Sequence, residues 1–191
     1  MKSFGLAAVV LIAILSFSRA ETFPFGIVYG PKAAFQISAP AGWVIDNKAG
    51  ADDGLPCVLY LKGATWGTAE PLMYGKIAST EYDDHKAFAA KAIGEMKKER
   101  GRFKMKRLAS GKTKDGQPFF INDYAPTKEY PRHECVAYVQ LNGAVAYVVF
   151  SADEEKNFSK HSAALEEAVQ SIRGMQIGDA RSAKPEQKQR E

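Results

Sequence analysis

The chain has 191 residues, of which 46% are hydrophobic and 25% are charged, and its formal net charge is +4. Such a near balance argues against nucleic acid as the main partner, because strong nucleic-acid binders carry a clear basic excess. A chain of this length can bury a hydrophobic core of its own, so we expect one domain rather than several.

The first residues are typical of a cleavable signal peptide. Lys2 provides a positive charge, an apolar stretch follows from Phe4 to Phe17, and Ser18-Arg19-Ala20 offers small residues at a cleavage site. This stretch is shorter than the roughly 20 apolar residues that a membrane-spanning helix needs. We therefore expect residues 1–20 to be removed, which leaves a periplasmic or secreted bacterial protein with no stable membrane insertion.

The first half of the remaining chain predicts several short strands. Phe23 to Tyr29 is apolar and aromatic, and Phe35 to Ser38 leads into a proline-glycine turn. Cys57 to Lys62 and Leu72 to Thr80 are rich in strand-forming residues. These last two segments are expected to be strands that flank a loop carrying Trp66.

The middle of the chain changes to helical periodicity. Apolar residues recur on one side of a helix at Phe88, Ala89, Ala92, Ile93 and Met96. Asp83 and Asp84 suit the N-terminus of this helix, because their carboxylates can accept hydrogen bonds from free backbone N–H groups. With Gly101 beyond the last turn, the pattern predicts a first helix that starts near Asp84.

Two β-hairpins are predicted after this helix. Asp115-Gly116 and Asn142-Gly143 are dipeptides that favour a two-residue type I′ turn. The flanking strands are residues 103–114 and 117–124 in the first hairpin, and 135–141 and 144–151 in the second. Residues 144–150 are apolar on both faces, which is typical of a central strand covered from both sides.

A second helix and a polar tail end the chain. The helix is expected from about Ser159 to Arg173, with Gly174 ending it and Met175 packing back. Residues 179–191 are highly charged and are predicted to be disordered. The order of elements predicts a single α+β domain at residues 21–178, with a mainly antiparallel sheet flanked by helices in an α/β/α sandwich.

Several segments resemble the PsbP/Mog1-like fold. They are the opening strand with Pro40-Ala41-Gly42-Trp43, the mid-chain helix, the hairpins, and the closing helix that ends in Gln170-Ser171-Ile172-Arg173. The segment Tyr60-Leu61-Lys62-Gly63-Ala64-Thr65-Trp66 with Met73-Tyr74 is similar to exported bacterial proteins of no assigned function. The resemblance covers about residues 33–176. It implies a non-enzymatic accessory or interaction protein, since most members of that fold group have such roles.

Cys57 and Cys135 are the only two cysteines. In an exported protein the oxidising compartment favours a disulfide between them. Two buried thiols or a reactive pair are the alternatives. An alternative function follows from the reactive pair, namely a thiol- or histidine-dependent hydrolase that uses Cys57 or Cys135 with His133 or His85.

No metal, cofactor or catalytic site is predicted. His133 and Cys135 share one face of a strand, but a closed zinc site needs four ligands, and the other candidate ligands are scattered along the chain. Asp83, Asp84 and His85 are explained by helix capping. Phosphate-binding and nucleophile motifs are absent from the sequence.

A basic segment follows the first helix. Its cations are Lys97, Lys98, Arg100, Arg102, Lys104, Lys106 and Arg107. Arg102, Lys104 and Lys106 share one face of a strand, while Phe103 and Met105 are expected to point to the core. Favourable charge at a helix C-terminus and protection of an edge strand by lysine provide a structural explanation. The functional alternative is a docking face for an anionic partner, such as a lipid head group or an acidic protein surface.

Two loops carry aromatic residues that suit contact with a partner. Trp66 lies in the first loop, and Tyr124 and Tyr130 lie in residues 122–132. Packing over the sheet edge is the alternative. We hypothesise a non-enzymatic envelope protein whose partner, an unknown protein or small molecule, contacts Trp66, Tyr124, Tyr130, His133, Arg102, Lys104 and Lys106. An assembly subunit without a ligand is a third possibility.

Overall fold

A computed structural model describes residues 25–79 and 81–177. The strands are β1 (Phe25–Tyr29), β2 (Ala33–Ser38), β3 (Trp43–Asp46), β4 (Val58–Leu61), β5 (Leu72–Ile77), β6 (Met105–Lys112), β7 (Pro118–Tyr124), β8 (His133–Leu141), β9 (Ala144–Ala152) and β10 (Arg173–Gln176). The helices are α1 (His85–Arg100), α2 (Glu155–His161) and α3 (Ala163–Gln170). The predicted signal peptide and the charged tail lie outside the described residues.

The strands form two antiparallel sheets. The larger has seven strands in the order β3-β4-β5-β9-β8-β7-β6, and the smaller has three in the order β1-β2-β10. Helix α1 packs on one face of the larger sheet, whereas α2, α3 and the smaller sheet cover the other. The α+β prediction, with an antiparallel sheet between helical layers, is therefore confirmed. The separate three-stranded sheet was not predicted.

Strand β9 is the fourth of the seven strands, as its two-sided apolar pattern predicts. Its Ala146, Val148 and Phe150 side chains belong to the core under α2 and α3. Val149 belongs to the core under α1. The turn at Asn142-Gly143 joins Leu141 directly to its partner Ala144, so the predicted two-residue length is confirmed. The predicted type I′ geometry is wrong, because Gly143 has a positive φ of 68° and Asn142 does not.

Helix α1 begins where the sequence predicts. The Asp84 carboxylate caps it, with Oδ1 accepting from the Ala87 backbone N–H at 2.7 Å. The predicted apolar stripe faces the sheet, and Ala89 is its most buried residue. Gly101 follows the helix with φ at +74°, a conformation that favours glycine.

The prediction for the second helix was wrong in its extent. The helical region begins earlier, at Glu155, and α3 ends at Gln170. The Ser171 hydroxyl donates to the Ala168 carbonyl at 2.6 Å and accepts from the Ser38 backbone N–H at 2.8 Å, so it joins the helix end to β2. Gly174 therefore lies in β10 and pairs with β2 instead of ending a helix. Met175 is 40% exposed and does not pack back.

The connection between β6 and β7 also differs from the prediction. Five residues, 113–117, join the strands instead of a two-residue turn. The Thr113 backbone N–H donates to the Gln117 carbonyl at 2.9 Å, and the Thr113 hydroxyl donates to the Asp115 carboxylate. Thr113 is buried, and these hydrogen bonds give its backbone N–H and its hydroxyl partners within the five-residue loop.

The expected disulfide is absent, because both cysteines are free thiols. Cys57 directly precedes β4 and Cys135 lies in β8, with β5 and β9 between those strands. Neighbouring strands are about 4.8 Å apart, so three spacings separate the two cysteines by about 14 Å. A disulfide requires Cα atoms within about 7 Å. The alternative of two buried thiols describes the structure.

Candidate functional site

A buried ion pair lies between α1 and the start of β8. Arg100 Nη1 donates to Glu134 Oε1 at 2.8 Å, and the two side chains are only 17% and 5% exposed. The Tyr130 hydroxyl donates to Glu134 Oε2 at 2.9 Å. The Arg100 guanidinium also lies over the Tyr130 ring, 3.7 Å from its centre. The predicted contact residue Tyr130 is thus occupied by internal contacts.

The protonation states of this cluster match a structural role. Burial acts to lower the pKa of Arg100, but the hydrogen bond and the charge of Glu134 outweigh it, so the pKa is raised. Burial, reinforced by Glu134, raises the pKa of Tyr130 and of Tyr74 nearby. Both tyrosines therefore stay neutral, and the carboxylate already has two donors. The cluster connects α1, the loop before β8 and the sheet.

A second arginine joins the ends of the two aromatic loops. Arg132 Nε donates to Ser151 Oγ at 2.8 Å, and Nη1 contacts Asp153 Oδ1 at 2.5 Å. Its Nη2 lies 3.5 Å from Glu70 Oε2, at the end of the Trp66 loop. Glu70 Oε1 also accepts from the Asp153 backbone N–H at 2.8 Å. The two loops are thereby fixed to the end of β9.

Tyr124 does not lie in an exposed loop, contrary to expectation. It ends β7, is 2% exposed, and shares a 2.9 Å hydrogen bond with the Tyr138 hydroxyl. Its hydroxyl also accepts from Asn122 Nδ2 at 3.1 Å. The alternation of β7 turns Asn122 and Tyr124 to the α1 face, so Tyr124 belongs to the core.

Trp66 and His133 each have an internal partner. Trp66 Nε1 donates to Asp53 Oδ2 at 2.7 Å, which connects two short 3-10 turns, and the ring is half-buried. His133 Nδ1 lies 2.9 Å from Glu155 Oε2, and its ring packs on Phe158 at 5.3 Å between centres. Trp66 contacts the turn at Asp53 and His133 contacts α2, so the two side chains have separate partners and do not form one aromatic site.

The thiols are poorly suited to catalysis. Both are fully buried. Burial, reinforced by Asp46, raises the pKa of Cys57 to about 12. Burial likewise raises the pKa of Cys135, with Asp123 and Glu134 adding to the effect. A nucleophilic cysteine needs the opposite shift, since the thiolate is the reactive form.

Two shallow cavities occur in the described part of the chain. One of about 200 Å³ lies between β10 and the β8–β9 turn, and one of about 400 Å³ lies beside Tyr29, Leu55 and Ile77. Each has a single lysine as its only charged lining residue, Lys32 in the first and Lys76 in the second. No group of three or more metal-ligating side chains exists within residues 25–79 and 81–177. No helix of the described chain is long and apolar enough to cross a membrane.

A strongly charged surface lies along the edge strand β6. This strand pairs only with β7, and seven of its eight residues are exposed. We call residues 102–114 the basic ridge, because this segment has no acidic residue. Its cations are Arg102, Lys104, Lys106, Arg107, Lys112 and Lys114. The rest of the chain is therefore net negative, since the whole chain is only +4.

Most of these cations are not neutralised within the protein. Lys106 lies 3.4 Å from Asp123 Oδ2. Arg107 Nε donates to the neutral Asn122 side chain at 2.8 Å and its guanidinium lies over the Phe120 ring, so it keeps its charge. The remaining four, Arg102, Lys104, Lys112 and Lys114, have no ion pair within the described chain. Five positive charges are thus presented to solvent.

Two apolar residues of the basic ridge are exposed, and for one of them, Met105, the prediction from the sequence was wrong. Met105 was expected in the core, but it is 48% exposed, because α1 covers β8 and β9 and stops short of this edge. Leu108 is 43% exposed and lies at a bulge, where the pairing shifts between Arg107 and Ala109. An apolar residue within a polar strand is the only sequence feature that marks Leu108. Phe103, in contrast, packs against Tyr124 as predicted.

Comparisons with known proteins concern the fold. A cyanobacterial PsbP (CyanoP) from Synechocystis sp. PCC 6803 is 13% identical, with a TM-score of 0.47, covering 73% of this chain and 85% of its own. A protein of unknown function from Pseudomonas aeruginosa is 14% identical, with a TM-score of 0.36, covering 76% of this chain and 79% of its own. No protein-family model and no curated protein matches the chain.

Proposed function

We propose that this chain is an exported, non-enzymatic accessory protein of the cell envelope that docks onto an anionic partner through the basic ridge. The observation that supports it most is the exposed β6 edge, which concentrates positive charge in a chain that is otherwise net negative. Concentrated charge of one sign attracts a complementary surface and accelerates its encounter.

The arrangement of the remaining polar groups supports binding in preference to catalysis. The carboxylates, arginines and histidine at the β8 end are paired with one another, and both thiols are buried. A general base or nucleophile needs a free, correctly titrating group within reach of a substrate. The lining of each of the two cavities contains one lysine and neither an acidic residue nor a histidine.

Edge protection explains part of the basic ridge. Lysines and a bulge on an edge strand hinder pairing with other sheets. This role accounts for Lys106 and for the bulge at Leu108. It does not require Arg102 before the strand, Lys114 after it, or two exposed apolar side chains between them. Docking accounts for these features.

The docking hypothesis is tested by photo-crosslinking in cells. A photoreactive amino acid replaces Lys104 in the basic ridge, and in a matched control it replaces Lys62, which is exposed near the opposite, β3–β4 side of the sheet. Specific adducts are expected from position 104 alone, and they should diminish when Lys112 is changed to Glu. Equal adducts at both positions, or none at position 104, would refute docking through the basic ridge.

Export is tested separately on the protein recovered from cell fractions. Mass spectrometry of the intact protein is expected to give the mass of a chain that begins at Glu21. The protein should be found in the envelope or the medium. A cytoplasmic protein that retains residues 1–20 would refute the exported part of the proposal while leaving the docking experiment interpretable.

A further inference from the structure

We infer that the anionic partner of the basic ridge is a lipid bilayer with acidic head groups, on which the protein binds peripherally with β6 at the membrane surface. This inference rests on the proposed docking function and specifies its partner. It combines the uncompensated cations with the two exposed apolar side chains that lie among them. Peripheral binding generally combines these two contributions.

The cations are spread along the edge of the sheet, which suits contact with the flat surface of an anionic membrane. Strand β6 has eight residues, which span roughly 26 Å at 3.3 Å per residue. Lys104 precedes this strand and Lys112 ends it, with Arg107 between them, so positive charge extends along its length. Each lysine or arginine near an anionic bilayer contributes about a five-fold gain in affinity. Several such contributions together suffice for peripheral binding.

The neighbouring acidic groups reduce this charge only in part. Asp123 pairs with Lys106. The Asp115 carboxylate is occupied by the Thr113 hydroxyl and by the Gly174 backbone N–H, at 2.7 Å from the latter. Glu129 Oε2 lies near Gly101, just before the basic ridge, and its negative charge offsets part of the positive charge there. The net charge of this edge therefore remains positive.

The exposed apolar residues lie at the positions that a bilayer can use. Met105 and Leu108 are 48% and 43% exposed, and cations lie on both sides of each in the sequence. Insertion of such side chains among lipid head groups buries apolar area that would otherwise face water. A free anion such as inorganic phosphate makes no use of them.

The bulge favours a bilayer over an added protein strand. A partner strand forms a regular ladder of hydrogen bonds along an edge. The irregularity at Leu108 bends β6 and interrupts such a ladder after three residues, Met105 to Arg107. A fluid head-group layer needs no register and tolerates the bend.

The experiment measures co-sedimentation with vesicles of defined composition. The protein is purified in the form that cells accumulate, with its N-terminus determined by mass spectrometry, so that an unprocessed leader is not mistaken for a membrane anchor. Vesicles contain phosphatidylcholine alone or phosphatidylcholine with phosphatidylglycerol. We expect binding only to the acidic vesicles, weakening steeply as salt is added.

Two variants and one control test whether the basic ridge is the surface that binds the vesicles. The double variant K104E/K112E should lose at least about twenty-five-fold in vesicle affinity, since two cations are removed and two acids introduced. The variant L108S should bind more weakly with an unchanged salt dependence. The control K48E/K62E makes the same charge change near the β3–β4 side of the sheet, and it should lose less than the ridge variant.

The outcomes separate this inference from the proposed function. No binding to acidic vesicles, or equal losses in both double variants, would overturn the bilayer inference. If the photo-crosslinks at position 104 then lead to a protein, docking through the basic ridge stands with a different partner. Displacement by inorganic phosphate at constant ionic strength would also overturn the inference, because it would show a site for small anions. Circular dichroism of each variant confirms that it is folded.

Discussion

The two faces of the seven-stranded sheet are built differently. The face under α2, α3 and the small sheet is apolar, with Leu59, Met73 and Phe150 among its fully buried residues. The face under α1 combines aromatic rings with polar groups. Of the five buried polar residues in the described part of the chain, four lie there: His85, Asn122, Glu134 and Ser151. The first face is thus stabilised mainly by the packing of apolar side chains. The second is stabilised in addition by hydrogen bonds and an ion pair between buried polar groups.

This difference predicts different sensitivities. Loss of volume on the apolar face costs free energy of unfolding through a cavity, with little dependence on pH or salt. Loss of one partner on the α1 face leaves another buried group without a hydrogen bond or a counter-charge. Substitutions on the two faces therefore test whether the contrast is energetic as well as chemical.

The largest effect is expected for Glu134→Leu. This change leaves the Arg100 guanidinium, 17% exposed, without its counter-charge, and removes the acceptor of the Tyr130 hydroxyl. The free energy of unfolding, measured with urea, should fall by about 4 kcal/mol. The double variant R100M/E134L should recover much of that loss. If the double variant is less stable than the single one, the pair is not the source of the effect.

A somewhat smaller loss is expected for Leu59→Ala on the apolar face. Leu59 is fully buried in the core beneath the small sheet. Truncation should lower the free energy of unfolding by about 3 kcal/mol through lost burial and the cavity left behind. The loss should be the same at pH 5 and pH 8. A strong pH dependence would show that the apolar face contains a coupled ionisable group.

A loss of about 1 kcal/mol is expected for Tyr124→Phe. The change keeps the ring but removes the hydroxyl that bonds Tyr138 at 2.9 Å and Asn122 at 3.1 Å. Tyr29→Phe is the matched control, because Tyr29 is 66% exposed. Thermal unfolding of the control should be unchanged. Equal effects in both variants would mean that the buried hydroxyl network adds nothing to stability.

The sequence is most informative where a pattern is local. The apolar stripe of α1, its Asp84 cap and the two-sided apolar strand β9 were all predicted and confirmed, since each depends on residues close together in the chain. The length of the turn at Asn142-Gly143 is another example. In these elements the local preference and the tertiary packing favour the same structure.

The sequence is least informative where distant segments decide. Ile172 is buried, as the predicted helix would require, but the residues that follow it form strand β10 because they pair with β2. Cys57 and Cys135 suggest a bridge, yet the strand order that separates them cannot be derived from spacing. Tyr124 is buried because β7 continues to that residue. The basic ridge can be predicted from charge alone. The exposure of Met105 depends on how far α1 extends across the face of the larger sheet.

The smallest expected effect concerns His85, which is buried at the start of α1 against the Phe120 ring. Burial lowers its pKa below 6.5, although Asp84 and Gln140 act in the opposite direction, and Lys86 and Arg107 add to the lowering. The folded state therefore binds fewer protons than the unfolded state, so stability should decrease as the pH falls below about 6.5.

His85→Phe keeps an aromatic ring on Phe120 and removes the titrating group. The unfolding free energies of the two proteins should therefore converge as the pH falls. His161→Phe makes the same test on the opposite face of the sheet. Burial also lowers the pKa of His161, which lies beside Trp43. A constant difference between wild type and H85F from pH 8 to pH 5 would mean that the α1 face does not respond to pH through this histidine.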